Sequence, residues 1–454
     1  MSEMFLERGI AFLFFWGIWL LAPLVVDVST AIIYLILVLW VPDPNRDLLG
    51  KELEFYPLVS VVVPVHNSAG TLRKCLDSLY NQDYPLDRLQ VICVNNGSTD
   101  NSFSVYESFQ SRHHGLYLNW VNMDEAGKSI ALNAGIYMMQ GQYVLNVDSD
   151  AWLDKQAVRN MVAAFEADPH LIAATGGIQI DKQMNEGTEF IDIVHYCEQI
   201  EYLVAFNVGR RYQSATNSIF TLAGAFSAFR RDVLYKTFMY SERTVSEDTD
   251  LTFQLNQKAK DTGGRIGGVI TAIAYVEPIS SVRKLYAQRL RWQRGELEVA
   301  AHYFNQKVGF FSTISNHIGR LLIIDHTLAF SRLTWTFIIP FLYFLGYKIG
   351  VVMAAVIALY ICYLILEFLY YLVAIKQETP ERREEAKKIW WVVFFVPMFR
   401  FATYWFRLAG IIAVVTEKSV WQAEDPITRL QEAVSDSKRK MTSLFGRTKT
   451  RSQK

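Results

Sequence analysis

Cysteine is scarce in this sequence: Cys75, Cys93, Cys197 and Cys362 are the only four, and no two stand in a CxxC pair. That spacing argues against a metal knuckle or a disulfide framework, and three of the four fall in globular stretches that suit a reduced compartment. Net charge is also absent, since 45 basic and 45 acidic side chains cancel over 454 residues. No global field is left to gather nucleic acid, so no nucleic-acid partner is expected. Internal repeats and low-complexity tracts are missing as well, which weighs against a transporter built from duplicated halves.

What the chain does have is hydrophobic sequence, unevenly placed. Half the residues (51%) are hydrophobic, and they concentrate at 10–41 and in blocks over 321–416. A bilayer core needs about 20 mostly apolar helical residues. Residues 351–375 (VVMAAVIALYICYLILEFLYYLVAI) meet that with one acidic interruption, Glu367. The N-terminal run outlasts the apolar core of a secretory leader and lacks a small-residue cleavage site, so it is expected to stay as an anchor. Pro23 and Asp27 near its middle favour a hairpin over one upright span. Arg400 and Arg407 interrupt the apolar segment 389–416, which therefore reads as a short hairpin or a partly interfacial segment. The tail from Gln422 is polar and basic at its end, and the positive-inside bias places it in the cytoplasm.

Between the apolar blocks the pattern is α/β. LVSVVVPVHN (58–67) is a β-branched run ending in turn residues, the helical TLRKCLDSLYNQ follows, and LQVICVNNGSTD (89–100) is a second strand. A third strand ends in YVLNVDSD (143–150). Three strands thus run into polar loops at their C-terminal ends, the edge where open parallel sheets bind ligands. Residues 246–260 read as a helix capped by Ser246, and 281–303 as an amphipathic basic helix at the membrane surface. The expected division is an anchor of one or two spans (1–45), a cytoplasmic catalytic domain (46–280), interface helices (281–320), a C-terminal transmembrane region (321–416) and a cytoplasmic tail (417–454).

Five short motifs carry chemistry. Asp148 and Asp150 are two apart just past a strand and share a side, where hard oxygen ligands suit Mg²⁺ or Mn²⁺ bridging to a diphosphate. Alone, such a pair is equally a turn of solvated acids. Pro64, Asn67, Asn96 and Ser98 lie in loops whose small hydrogen-bonding residues suit a base and ribose, or ordinary turns. Gly127 and Lys128 open a helix, where an ammonium and backbone N–H groups can meet a phosphate. Glu247 and Asp248 sit at another helix start, and Asp248 is placed to act as a base on an acceptor hydroxyl. Asp250 in the same turn leaves open a purely helix-stabilising acid cluster. Gln288, Arg291 and Trp292 share a helical face, offering donors for a diphosphate and an indole for a sugar ring, though a membrane-interface helix carries such residues too.

In this order, from about Val59 to Trp292, the motifs resemble those of the processive membrane glycosyltransferases of family 2, the cellulose, hyaluronan, chitin-oligosaccharide and poly-N-acetylglucosamine synthases. The elements are VVVPVHN, VNNGSTD, GKSIALN, DSDA, AGAFSAFRR, SED for the usual TED, and QxxRW at 288–292. QRLRW and AFRR are most similar to the poly-N-acetylglucosamine synthase type, and the anchor and tail resemble a Gram-positive subgroup thought to accompany exosortase-like sorting systems. The resemblance implies an α/β GT-A fold, Rossmann-like with a mostly parallel sheet, flanked by transmembrane helices in a multi-pass plasma-membrane protein. It implies an inverting hexosyltransferase with a UDP-sugar donor and a divalent cation (Mg²⁺ or Mn²⁺). The sugar, a hexose or HexNAc, would pass to a growing polysaccharide or lipid-linked glycan, and a small membrane subunit is a further partner. Asp248 with Glu247 would be catalytic. Pro64, Asn67, Asn96, Ser98, Lys128, Asp148, Gln288 and Arg291 would bind the donor, Asp148 and Asp150 the metal, and Gly224 and Trp292 the acceptor.

One departure stands out. Asn96 replaces the family's usual aspartate toward the uracil, keeping a hydrogen-bonding edge but losing a charge. Two alternatives stay open: a single-transfer enzyme on a polyprenyl-phosphate acceptor, separable by product length, and a non-catalytic partner subunit, which the intact carboxylates disfavour.

Overall fold

A computed structural model describes residues 18–49, 51–123, 126–181, 190–304 and 339–416. The expected tail, the second half of the interface segment and the first part of the C-terminal apolar region lie outside these residues, as do Asp124 and Glu125.

The first element among the described residues is helix α1 (Ile18–Trp40). The chain then alternates strands and helices: β1 (Val59–Val65), α2 (Leu72–Tyr80), β2 (Leu89–Asn95), α3 (Ser102–Gln110), β3 (Tyr117–Asn122), α4 (Lys128–Met138) and β4 (Tyr143–Val147). It continues through β5 (Ala151–Leu153), α5 (Ala157–Ala167), β6 (Leu171–Ile180), α6 (Phe190–Val204), β7 (Phe226–Arg230), α7 (Glu247–Thr262) and β8 (Arg265–Val276). Helix α8 (Val282–Phe304) follows, and then α9 (Ile349–Gln377), α10 (Pro380–Lys388) and α11 (Val396–Thr416).

The eight strands form one sheet in the order β3-β2-β1-β4-β7-β6-β8-β5. Its first four strands are parallel; β7 runs antiparallel between β4 and β6, and β5 antiparallel on β8. The β-branched runs explain the parallel half. Side chains alternate faces along a strand, and β1 sends Val59, Val61 and Val63 into a core under α2 and α5, while Val62 enters the opposite core with α4 and α7. Helix α4 lies so close to β1 that a Cβ on Gly135 would come 2.3 Å from Val62 Cγ1.

A third apolar core joins α1, α6, α9 and α11 through Leu35, Val38, Val204, Val373 and Phe399. Among the described residues, α9 alone is long and apolar enough to cross a membrane. The expected hairpin near Pro23 and Asp27 is not formed: α1 runs unbroken through both. Asp27 is held by Tyr363 of α9, whose hydroxyl donates to its carboxylate at 2.6 Å. Residues 389–416 form a 3-10 turn (Trp390–Phe394) and then α11, with Arg400 paired to Glu367 of α9 at 2.8 Å. The end of α9 is fastened to the sheet domain. Glu378 accepts from Asn207 and Gln179, Arg382 reaches Asp154 and Tyr275, and Arg46 and Arg383 donate to carbonyls of the last turn.

Candidate active site

Each strand of the parallel half delivers its polar residues to one edge. Past β1, Asn67 takes a left-handed backbone (φ 51°), which asparagine tolerates. Its N–H donates to Ser98 Oγ at 3.1 Å, and its side-chain oxygen accepts the Thr99 N–H at 2.8 Å. The two sequence-flagged loops are therefore stitched together. Pro64 instead lies buried inside β1, beyond its pairing with β4, opposite Val94.

Past β4, Asp148 sits where the chain turns toward β5. Its neighbour Ser149 is tied to Ser68 at 2.7 Å. Enclosure in the site, and then the Asp148 charge, raise the carboxyl of Asp150 above its ordinary range. Facing them, the loop before β7 is pinned by Asn146, which donates to the Gly224 carbonyl at 2.7 Å, and by Thr252 of α7, which accepts the Leu222 N–H at 3.0 Å. Gly224 consequently overlooks the centre of the site. A Cβ placed there would lie 3.3 Å from Asp248 Oδ2, 3.7 Å from Lys128 Nζ and 4.0 Å from Asp148 Oδ2.

Lys128, the first residue of α4, bridges the acids: its ammonium is 2.8 Å from Asp148 and 3.5 Å from Glu247. Burial by itself would depress its pKa, but the Asp148 and Glu247 charges outweigh that and raise it, so the ammonium stays charged. Asp248 shifts upward to about 6, first because it is buried and second because Glu247 is negative beside it, while Lys128 and Arg291 oppose the shift. The acid cluster thus separates by role. Asp250, itself buried, turns away to pair with the exposed Arg243 at 2.9 Å, and Ser246 precedes α7 without a side-chain capping bond, contrary to expectation.

On α8, Arg289 lies over the Trp292 ring, 4.7 Å from its centre, and is itself paired to Glu201 of α6. Gln288 Oε1 is a buried acceptor with no hydrogen-bond partner among the described residues. Among those residues no three His, Cys, Asp or Glu side chains cluster as a complete metal cage. Two carboxylates with room for phosphate oxygens are what Mg²⁺ ordinarily accepts from a protein, so the donor set fits such an ion.

Beside these groups lies a cavity of about 260 Å³ lined by His66, Asn96, Ala126, Gly127, Lys128, Ser129, Glu242, Thr244, Val245 and Glu247. Asn96, Lys128 and Glu247 were flagged by sequence. His66, Ser129, Glu242 and Thr244 were not singled out, although His66 lies in VVVPVHN and Ser129 in GKSIALN.

Residues 60–238 match the family described as glycosyl transferase family 2. The poly-beta-1,6-N-acetyl-D-glucosamine synthase of Staphylococcus epidermidis is 26% identical over 297 residues, 65% of this chain and 66% of that protein. The probable glycosyltransferase YdaM of Bacillus subtilis is 29% identical over 259 residues, 56% and 58% of the two chains. Both alignments span less than two thirds of those relatives. The mannosyltransferase PcManGT from Pyrobaculum calidifontis, solved with GDP-Man and Mn²⁺, superposes with a TM-score of 0.58 at 19% identity, covering 87% of this chain and 99% of that one. The sheet domain accordingly has the GT-A fold.

Proposed function

We propose, from the premise that residues 60–238 are a family 2 glycosyltransferase domain, that this chain is a membrane-bound inverting glycosyltransferase. It moves a hexose or HexNAc from a UDP-sugar to a growing polysaccharide or lipid-linked glycan. The observation carrying this reading is the convergence of Asp248, Lys128 and Asp148 within 4.0 Å of one point above Gly224. The poly-N-acetylglucosamine synthase relative supports a polymer product, and α9, 29 residues long, supports attachment to the membrane.

In this reading Asp248 takes the proton from an acceptor hydroxyl as that oxygen attacks the anomeric carbon, and the bond from that carbon to the diphosphate breaks. Its raised pKa makes it a stronger base than an ordinary aspartate, and it is still ionised at neutral pH. Glu247 and Asp148 hold the Lys128 ammonium at the start of α4, where it and the helix N-terminus receive the departing charge. A divalent cation held by Asp148 and Asp150 would neutralise the diphosphate. Gln288 and Arg291 complete the donor side, and Trp292 with Gly224 borders the acceptor.

The test is Asp248→Asn in detergent with Mn²⁺ or Mg²⁺. Diphosphate release should fall about 10²- to 10⁴-fold with thermal stability retained; unchanged turnover removes Asp248 as the base.

A further inference from the structure

The cavity beside Lys128 contains a carboxylate that nothing in the site yet uses. Glu242 belongs to the loop leading into α7. It is exposed, it lines the cavity, and it makes no hydrogen bond or ion pair among the described residues. It is also close to Gly127: a Cβ there would come 2.6 Å from Glu242 Oε1.

Asn96 approaches the same glycine from the other side, its side-chain oxygen accepting the Gly127 N–H. A backbone N–H can only donate, so this bond fixes the amide: its oxygen is occupied and its –NH₂ is the free end. The backbone of Asn96 is held as well, with its N–H donating to the Val65 carbonyl at 2.7 Å and its carbonyl accepting from the His66 ring at 2.7 Å. Asn96 therefore offers the cavity a donor. The acceptor has to come from elsewhere, and Glu242 is the unengaged one.

We propose that Glu242 is a base-specificity residue. It accepts the ring N–H of the donor's uracil while the Asn96 amide donates to the adjacent carbonyl. This rests on the UDP-sugar reading above and adds to it a residue outside the five motifs. The contact forms no covalent bond, and its energy comes from a charge-assisted hydrogen bond in a partly enclosed cavity. A base that presents a lone pair where uracil presents N–H leaves both Glu242 and itself unpaired, the kind of mismatch that discriminates strongly.

Calorimetric titration of the detergent-solubilised full chain with UDP and with CDP, each with Mn²⁺, tests it. Wild type should prefer UDP. Glu242→Ala should weaken UDP about tenfold or more, leave CDP nearly unchanged, and so remove the preference. Asn96→Asp, which sets an acceptor against the carbonyl, should weaken UDP with Glu242 in place. The proposal is overturned if Glu242→Ala keeps the wild-type ratio, if Asn96→Asp tightens UDP, or if wild type binds the two diphosphates equally or favours CDP. Equal binding would leave the transferase reading standing. Failure of wild type to bind either diphosphate would instead remove the UDP-sugar reading, and this proposal with it.

Discussion

Replacing Lys128 by glutamine should move the acid limb of the pH-rate profile upward. Asp248 Oδ2 and Lys128 Nζ lie 3.3 and 3.7 Å from the same point above Gly224, so they are no more than about 7 Å apart. Unit charges at that separation interact by about 2.4 kcal/mol at an effective dielectric constant of 20. Halving this for solvent in the cleft leaves about one pH unit. The sign follows from the charge: the ammonium favours the Asp248 carboxylate, so removing it raises the Asp248 pKa further above its already elevated value of about 6. A base works as its carboxylate, so activity is lost as pH falls through that pKa. The assay is diphosphate release from pH 5 to 8.5 at saturating donor. Wild type should show a limb near pH 6, well above an unperturbed aspartate. Lys128→Gln should show it near pH 7, with a rate at pH 6 reduced about elevenfold relative to its own plateau, against about twofold for wild type. The plateau itself will drop if Lys128 also holds phosphate, but the midpoint is independent of that. A wild-type limb near pH 4, or a midpoint unmoved or lowered in the variant, refutes the electrostatic account.

Glu201→Gln leaves the Arg289 guanidinium, 3% exposed, without its main anion, and should lower unfolding stability by about 3 kcal/mol in chemical denaturation. It should also loosen the ring of Trp292 beneath it, read as broadened indole fluorescence. Arg400→Gln alone removes the cation 2.8 Å from the buried Glu367 carboxylate and should lower the melting temperature in detergent, whereas the double change with Glu367→Gln should recover most of the loss. Gly135→Ala forces a methyl against Val62 and should cost about 1 to 3 kcal/mol by thermal or denaturant unfolding.

The parallel half of the sheet was legible because its strands are short β-branched runs, each followed by a helix-period segment, and local pattern dictates both. The motif residues were legible for the same reason: Asp148, Lys128 and Asp248 each sit at the end of a strand or the start of a helix, so naming the element places the side chain. What depended on distant partners was not legible. Asp27 reads as a helix breaker in an apolar run until Tyr363, 336 residues away, supplies its hydrogen bond. Arg400 similarly reads as an interruption until Glu367 meets it. Asn96 reads as a loss of charge, yet its environment matters more, because the Gly127 N–H decides which end of the amide is free. Glu242 sits in a loop with no motif and becomes visible only when that loop closes over the start of α4.

The fastening of α9 to the sheet domain has a mechanical side. Two arginines from opposite ends of the sequence, Arg46 and Arg383, hold the carbonyls of its last turn, and Glu378 and Arg382 bind the sheet domain just beyond. A catalytic domain on a loose tether could sweep out a volume and find its acceptor by diffusion. Here the 29-residue helix is joined to the domain at these contacts, and the height of the Asp148 and Asp248 carboxylates relative to α9 is set by folding. On the polymerising reading proposed above, a lengthening product would have to slide past a fixed point, so each added sugar would demand movement of the glycan, not of the enzyme.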